Sequence, residues 1–151
     1  MKRRHKKRGP VQSKKIVCDK ITFASGLEKY TYLALKENKL FEGYENQVFQ
    51  LVESFNFRNI SYEKQANGKG EYTNRGQKKI LGIKYTPDFV GKDFIIECKG
   101  RANESFPIRW KLFKLWLNKN KIGKTLYKPQ NQKEMDQTIT LIKESRRKKH
   151  V

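Results

Sequence analysis

Two carboxylates and an ammonium lie close together in the stretch Tyr85 to Gly100, which reads Y-T-P-D-F-V-G-K-D-F-I-I-E-C-K-G. Asp88 follows Pro87, and Glu97 and Lys99 stand two residues apart on a second apolar run. On a strand, Glu97 and Lys99 share one face while Ile96 and Cys98 take the other. Gly91-Lys92-Asp93 reads as a turn, and a hairpin closing around Lys92 brings Asp88 beside Glu97 to within about one register step. Such acids can hold a hard divalent cation such as Mg²⁺, with Mn²⁺ as a substitute, and a nearby lysine can polarise a phosphate. Phosphodiester hydrolysis needs these services: a positioned water, charge neutralisation at the phosphate, and help for the leaving oxygen. The lysine can serve as a general base or steady the attacking hydroxide.

The E-x-K pattern alone is weak. Glu37-Asn38-Lys39 repeats it on a predicted helix, where the two side chains diverge by about 200° and have no site geometry. The elements around the acids carry more weight. A helix is predicted from Ser25-Gly26-Leu27-Glu28 to about Leu40, with Leu27, Tyr30, Leu33, Ala34 and Leu40 as its apolar stripe. Ser25 and Glu28 match a capping box, the glutamate reaching back to the N-cap amide. Strands are predicted over Glu45–Phe57, Ile60–Gln65, Ile80–Val90 and Phe94–Lys99, the last apolar enough to be central in a sheet. Residues 66–79 read as a long, mobile basic loop or a hairpin tip. An amphipathic helix follows over Arg109–Lys121, with Trp110, Phe113, Trp116 and Leu117 inward. A short strand over Thr125–Tyr127 and a last helix over Asn131–Ser145 complete the chain. The fold class is therefore α/β, with an α+β type of mixed sheet.

Together these residues form the ordered signature P-D…E-x-K, and the chain resembles the PD-(D/E)XK nuclease superfamily. The superfamily's restriction-endonuclease-like core has the order α-β-β-β-α-β, here with an extra C-terminal helix. More narrowly, S-G-L-E at 25–28, Y-T-P-D-F at 85–89 and E-C-K-G at 97–100 are similar to the phage endonuclease I family of Holliday junction resolvases. The resemblance implies Asp88 and Glu97 as metal ligands, the Cys98 carbonyl as a further candidate ligand, and Lys99 as the catalytic lysine. It implies Glu28 as a helix-borne acid completing the site. It also implies intertwined homodimers that cut four-way DNA junctions symmetrically, the helix glutamate coming from the partner subunit. The segment between Glu28 and Asp88 is longer than that family leads one to expect. The auxiliary acid is therefore open between Glu45, the preferred candidate, and Glu42 or Glu63.

The charge balance names the partner class. The chain carries 35 Lys and Arg against 15 Asp and Glu, a net +20, and such a surplus suits a polyanion, nucleic acid first, with a ribosomal-type RNA-binding role or an anionic membrane surface as the bland alternatives. Residues 1–20 are expected to be a basic disordered arm, 21–145 a single nuclease domain, and 146–151 a basic tail. Arg3, Arg4, Lys6 and Lys7 in the arm would track a nucleic-acid backbone; the alternative is a solvated tail. Arg101, Arg109, Lys111, Lys114 and Lys121 are further candidates for phosphate contact, although a lysine row is often only a solvated face. Two distant cysteines without C-x-x-C spacing, and histidines confined to the tails, argue against zinc and for a reducing cytoplasm, that of a bacterial host if the chain is phage-encoded. No apolar run suits a membrane span or a signal peptide. The expected function is a Mg²⁺-dependent DNA endonuclease, a junction resolvase in the first instance. The alternatives are a same-fold nickase, repair or restriction-type enzyme, or a non-catalytic nucleic-acid-binding protein.

Overall fold

Phe94, Ile95 and Ile96 are buried on both faces, an environment that only the centre of a covered sheet supplies. In the computed structural model, which describes residues 14–100 and 103–150, these three residues form such a central strand. The element order is β1 (Ile16–Cys18), β2 (Ile21–Phe23), α1 (Gly26–Glu37), β3 (Phe49–Val52), β4 (Phe55–Phe57), β5 (Tyr62–Glu63) and β6 (Thr73–Asn74). It continues with β7 (Lys78–Ile80), β8 (Ile83–Tyr85), β9 (Phe89–Val90), β10 (Phe94–Ile96), α2 (Phe106–Lys119), β11 (Thr125–Tyr127) and α3 (Gln132–Lys148). The protein is thus mixed α/β, with small, mostly antiparallel sheets and three helices among the described residues. No helix among them is long and apolar enough to cross a membrane.

The chain divides into two compact units. The first takes the described residues up to Tyr44, those from Asp88 to Gly100, and those from Lys124 onward. Its sheet has the order β11-β10-β9, with β10 parallel to β11 and antiparallel to β9. Helices α1 and α3 contribute Tyr32, Leu35, Met135, Ile139 and Ile142 to a core shared with Phe23, Phe89, Phe94 and Ile96. The arm expected over residues 1–20 ends in a hairpin, because β1 and β2 pair antiparallel across Asp19 and Lys20. Both turn residues have positive φ, 49° and 65°, as a two-residue primed turn requires.

Helix α1 matches expectation in part in the face it buries. Its inward residues are Glu28, Thr31, Tyr32 and Leu35, a helical i, i+3, i+4, i+7 stripe. Leu33, expected inside, is 41% exposed. Leu27, Tyr30 and Ala34, also expected inside, are partly buried against the core and Leu40 is buried, so the apolar letters mark the flanks of the buried face and miss its polar members Glu28 and Thr31. Helix α3 buries Met135, Ile139 and Ile142 as its spacing predicts.

The second unit combines Glu45–Pro87 with the described residues up to Gly123. Its main feature is a two-stranded antiparallel ribbon built by the pairs β3 with β8, β4 with β7 and β5 with β6. The strand expected over Ile80–Val90 is in fact three, interrupted at Gly82 and again before Asp88. A Cβ on Gly82 would meet the Val52 carbonyl oxygen at 2.5 Å, and one on Gly76 would meet that of Asn59 at 2.2 Å. At both glycines the opposite strand comes too close for any side chain. Residues 66–79 therefore form a hairpin end with its own pairing, Tyr62 facing Asn74 and Glu63 facing Thr73. At the base of the ribbon, Phe49 packs against Phe113 and Trp116 of α2, and Tyr85 packs against Trp110 and Phe113.

Candidate metal and phosphodiester site

The hairpin β9–β10 sets the register of the acids. Val90 pairs with Ile95 and Phe89 with Ile96, so one further step sets Asp88 opposite Glu97, as the sequence predicts. The turn is closed by the Gly91 amide, which donates to the Phe94 carbonyl at 2.9 Å. Side chains from elsewhere in the same unit pin it. Arg146 donates twice to the Asp93 carboxylate, at 2.8 and 2.9 Å, Lys124 donates to the Gly91 carbonyl, and Glu42 accepts the Lys92 amide at 2.8 Å. The Arg146 hydrogen bonds hold the Asp93 carboxyl below its ordinary value of 3.8. Glu42 thus serves the turn, at the opposite end of the hairpin from Asp88 and Glu97.

At the open end, the Asp88 carboxylate accepts the Cys98 amide at 2.7 Å. Beyond β10 the strand continues along its other neighbour, the Glu97 amide donating to the Tyr127 carbonyl and the Lys99 amide to that of Pro129. An extended residue sends its N–H and C=O to the same edge, which turns the Cys98 carbonyl toward the Asp88 side. The Cys98 side chain goes the other way, into the core beside Ile96, with its sulfur 3.2 Å from Thr31 Oγ1. Lys99 is half-buried.

Asp88, Glu97 and Glu28 are all buried, at 8%, 7% and 7% exposure. Burial pushes the Cys98 thiol up, and the charges of Asp88, Glu28 and Glu97 push it the same way. Asp88, Glu28 and Glu97 therefore lie near enough to the thiol for their charges to oppose its ionisation. Glu28 reaches this neighbourhood within its own chain. Its Oε2 accepts from Tyr44 Oη at 2.5 Å and from the Ala24 amide at 3.2 Å, while Oε1 accepts from Ser25 Oγ at 3.1 Å. The expected capping box is altered: Ser25 accepts the Glu28 amide, but the carboxylate returns to Ala24, one residue before the N-cap. Nothing in the sequence marked Tyr44. It is brought there by an antiparallel bridge to Phe89. Thr31, one turn after Glu28, was also missed; its only signal is the i+3 spacing.

Among the described residues, no three metal-ligating side chains gather tightly enough to cage an ion. Asp88, Glu97 and the Cys98 carbonyl nevertheless form an all-oxygen donor set, and Mg²⁺ usually takes one or two carboxylates and completes its shell with water. The donor chemistry fits. Glu45 and Glu63 are exposed in the second unit, Glu45 with φ at 47°. Arg109, Lys111 and Lys114 are exposed along α2, and the Lys114 ammonium lies 5.8 Å from the Trp110 ring centre. Lys121 falls after the helix end at Lys119, with φ at 53°, so it does not continue the lysine row. Arg3, Arg4, Lys6, Lys7 and Arg101 lie outside the described residues.

No curated protein and no solved structure matches this chain. Residues 8–131 match the family described as "Protein of unknown function (DUF1064)", and the chain belongs to that family.

Proposed function

We propose that the chain is a metal-dependent DNA endonuclease of the PD-(D/E)XK type, acting on branched DNA as a Holliday junction resolvase. The observation that supports this best is the burial of three carboxylates, Glu28, Asp88 and Glu97, in one compact unit, with Asp88 held by the Cys98 amide, in a chain of net charge +20. Neighbouring buried carboxylates repel one another, and proteins tolerate them where a cation or a proton is shared. Clustered acids would also repel a phosphate unless a cation intervenes.

Asp88, Glu97 and the Cys98 carbonyl would hold Mg²⁺ or Mn²⁺, which when bound supplies charge neutralisation and a more acidic water. The Cys98 amide fixes one Asp88 oxygen, orienting the carboxylate before substrate arrives. Lys99, two residues beyond Glu97, offers its ammonium to the scissile phosphate or to the attacking water. Glu28, oriented by Tyr44 and Ser25, contributes a further negative charge from α1. Basic residues elsewhere hold the backbone without reading bases. Two such chains would cut a junction symmetrically as a homodimer, leaving 5′-phosphate and 3′-hydroxyl ends.

The test is cleavage of a four-way junction and of its linear duplex arms in Mg²⁺. Asp88→Asn and Glu97→Gln should each lower the rate by about 10²-fold or more while junction binding survives. Continued cutting by both variants means that the site lies elsewhere; equal rates on junction and linear DNA remove the resolvase assignment. A second reading, non-catalytic nucleic-acid binding, is favoured by the three hydrogen bonds that engage Glu28 near the helix cap. Binding indifferent to Mg²⁺ with no cleavage would select it.

A further inference from the structure

The β-ribbon of the second unit leaves large aromatic groups in solvent: Phe55 is 50% exposed, Tyr62 61% and Tyr72 71%. Tyr62 and Tyr72 are diagonal cross-strand neighbours, since Tyr62 faces Asn74 and such diagonals share a face. Their ring centres lie 6.1 Å apart with planes inclined by 36°. The pair covers part of each ring and leaves the rest open. Beyond it the ribbon tip is held by its own hydrogen bonds, Gln65 N–H to the Lys69 carbonyl, Gly68 N–H to that of Gln65, and Lys69 N–H to Asn67 Oδ1. The rings therefore stand on an ordered platform, which lowers the cost of binding.

The charge around them is positive. From Phe49 to Tyr85 there are seven Lys and Arg against three Glu, and Glu63 and Glu71 are the acids nearest the rings in sequence. Arg58, Lys64, Lys69, Lys78 and Lys79 are all exposed. Flat exposed rings interleaved with cations suit a ligand that has both π-faces and phosphates. Duplex DNA stacks its bases on one another and offers few free faces, whereas unpaired nucleotides offer both.

We propose that the ribbon tip is a binding surface for unpaired nucleotides in DNA, with Tyr62 and Tyr72 stacking on bases and the ribbon's lysines and arginines following the backbone. The choice of DNA as the nucleic acid rests on the proposed function; the stacking surface itself does not depend on cleavage. The test is fluorescence anisotropy in EDTA, where no cutting occurs, comparing a continuous duplex with the same duplex carrying a short thymidine gap. The native chain should bind the gapped duplex about tenfold more tightly. Tyr62→Ala/Tyr72→Ala should remove that advantage and leave continuous-duplex binding unchanged, while Tyr62→Phe/Tyr72→Phe should keep it. Equal native affinity for both DNAs, or an advantage that survives the alanine pair, overturns the proposal. It is also overturned if the alanine pair converts a native dimer into monomers in sedimentation, because the rings would then meet a second copy of the chain. Loss of cleavage in Asp88→Asn with gap preference intact separates the two proposals.

Discussion

Glu28 carries two roles that compete for the same oxygens. As part of the helix cap it receives donors from Ala24, Ser25 and Tyr44; as a site acid it must keep lone pairs for a cation or a water. A carboxylate offers about four lone-pair sites, so three donors leave one, and the two roles can coexist. Asp93 is a simpler case, tied to Arg146 by two hydrogen bonds with its side chain 16% exposed. Its folded pKa lies below the ordinary 3.8 because Arg146 donates to the charged form. The stabilisation is therefore full above that ordinary value and is lost as pH falls through the lower folded value. Asp93→Asn should cost about 2 kcal/mol at neutral pH. The melting curves of native and variant chains should converge once the pH has fallen through the folded value. A gap between them that persists in acid would mean that Asp93 acts through packing instead of charge.

At the scale of elements, legibility followed apolar period. The inward face of α3 was read directly because three of its four buried residues, Met135, Ile139 and Ile142, are apolar at helix spacing. The hairpin register, Val90 with Ile95 and Phe89 with Ile96, was legible too, since the turn residues and the apolar runs on both sides agree. The buried face of α1 was legible only in part, because Glu28 and Thr31 occupy half of its fully buried positions. The ribbon was legible in part: strands were expected along its sides and a loop or a hairpin tip at its Gly- and Asn-rich end, but which strand pairs with which was not. Its pairing depends on glycine at position 76, where the Asn59 oxygen would sit 2.2 Å from any Cβ. Gly76→Ala should therefore open the ribbon locally. The Arg75 and Gln77 amides, which donate to Ser61 and Asn59, should lose hydrogen-exchange protection, while the Cys98 amide on Asp88 keeps its own. Unchanged protection at Arg75 and Gln77 would show that the strands can separate by about an ångström, enough to clear the 2.2 Å approach, at little cost.

For the whole molecule, charge is the property that geometry explains least and function needs most. Residues 1–13 contain six Lys and Arg and no acid, and the rest of the chain remains strongly basic without them. If this segment follows a DNA backbone, each contacted phosphate releases counterions, and the slope of log affinity against log salt steepens by about 0.9 per contact on duplex DNA. Six contacts would add about 5 to the slope. Deleting residues 1–13 should accordingly flatten the slope by about 3 to 5 and weaken duplex binding most at low salt. Melting temperature and the rate of cleavage at saturating DNA should stay close to those of the full chain. Affinity that falls by the same factor at every salt concentration would point to a lost non-ionic contact. An unchanged slope would leave the segment a solvated tail and move the electrostatic footprint onto the folded units, where Lys111, Lys114 and the basic residues of the ribbon are exposed. Charge reversal at Lys111 and Lys114 in the deleted chain would then have to flatten the slope instead.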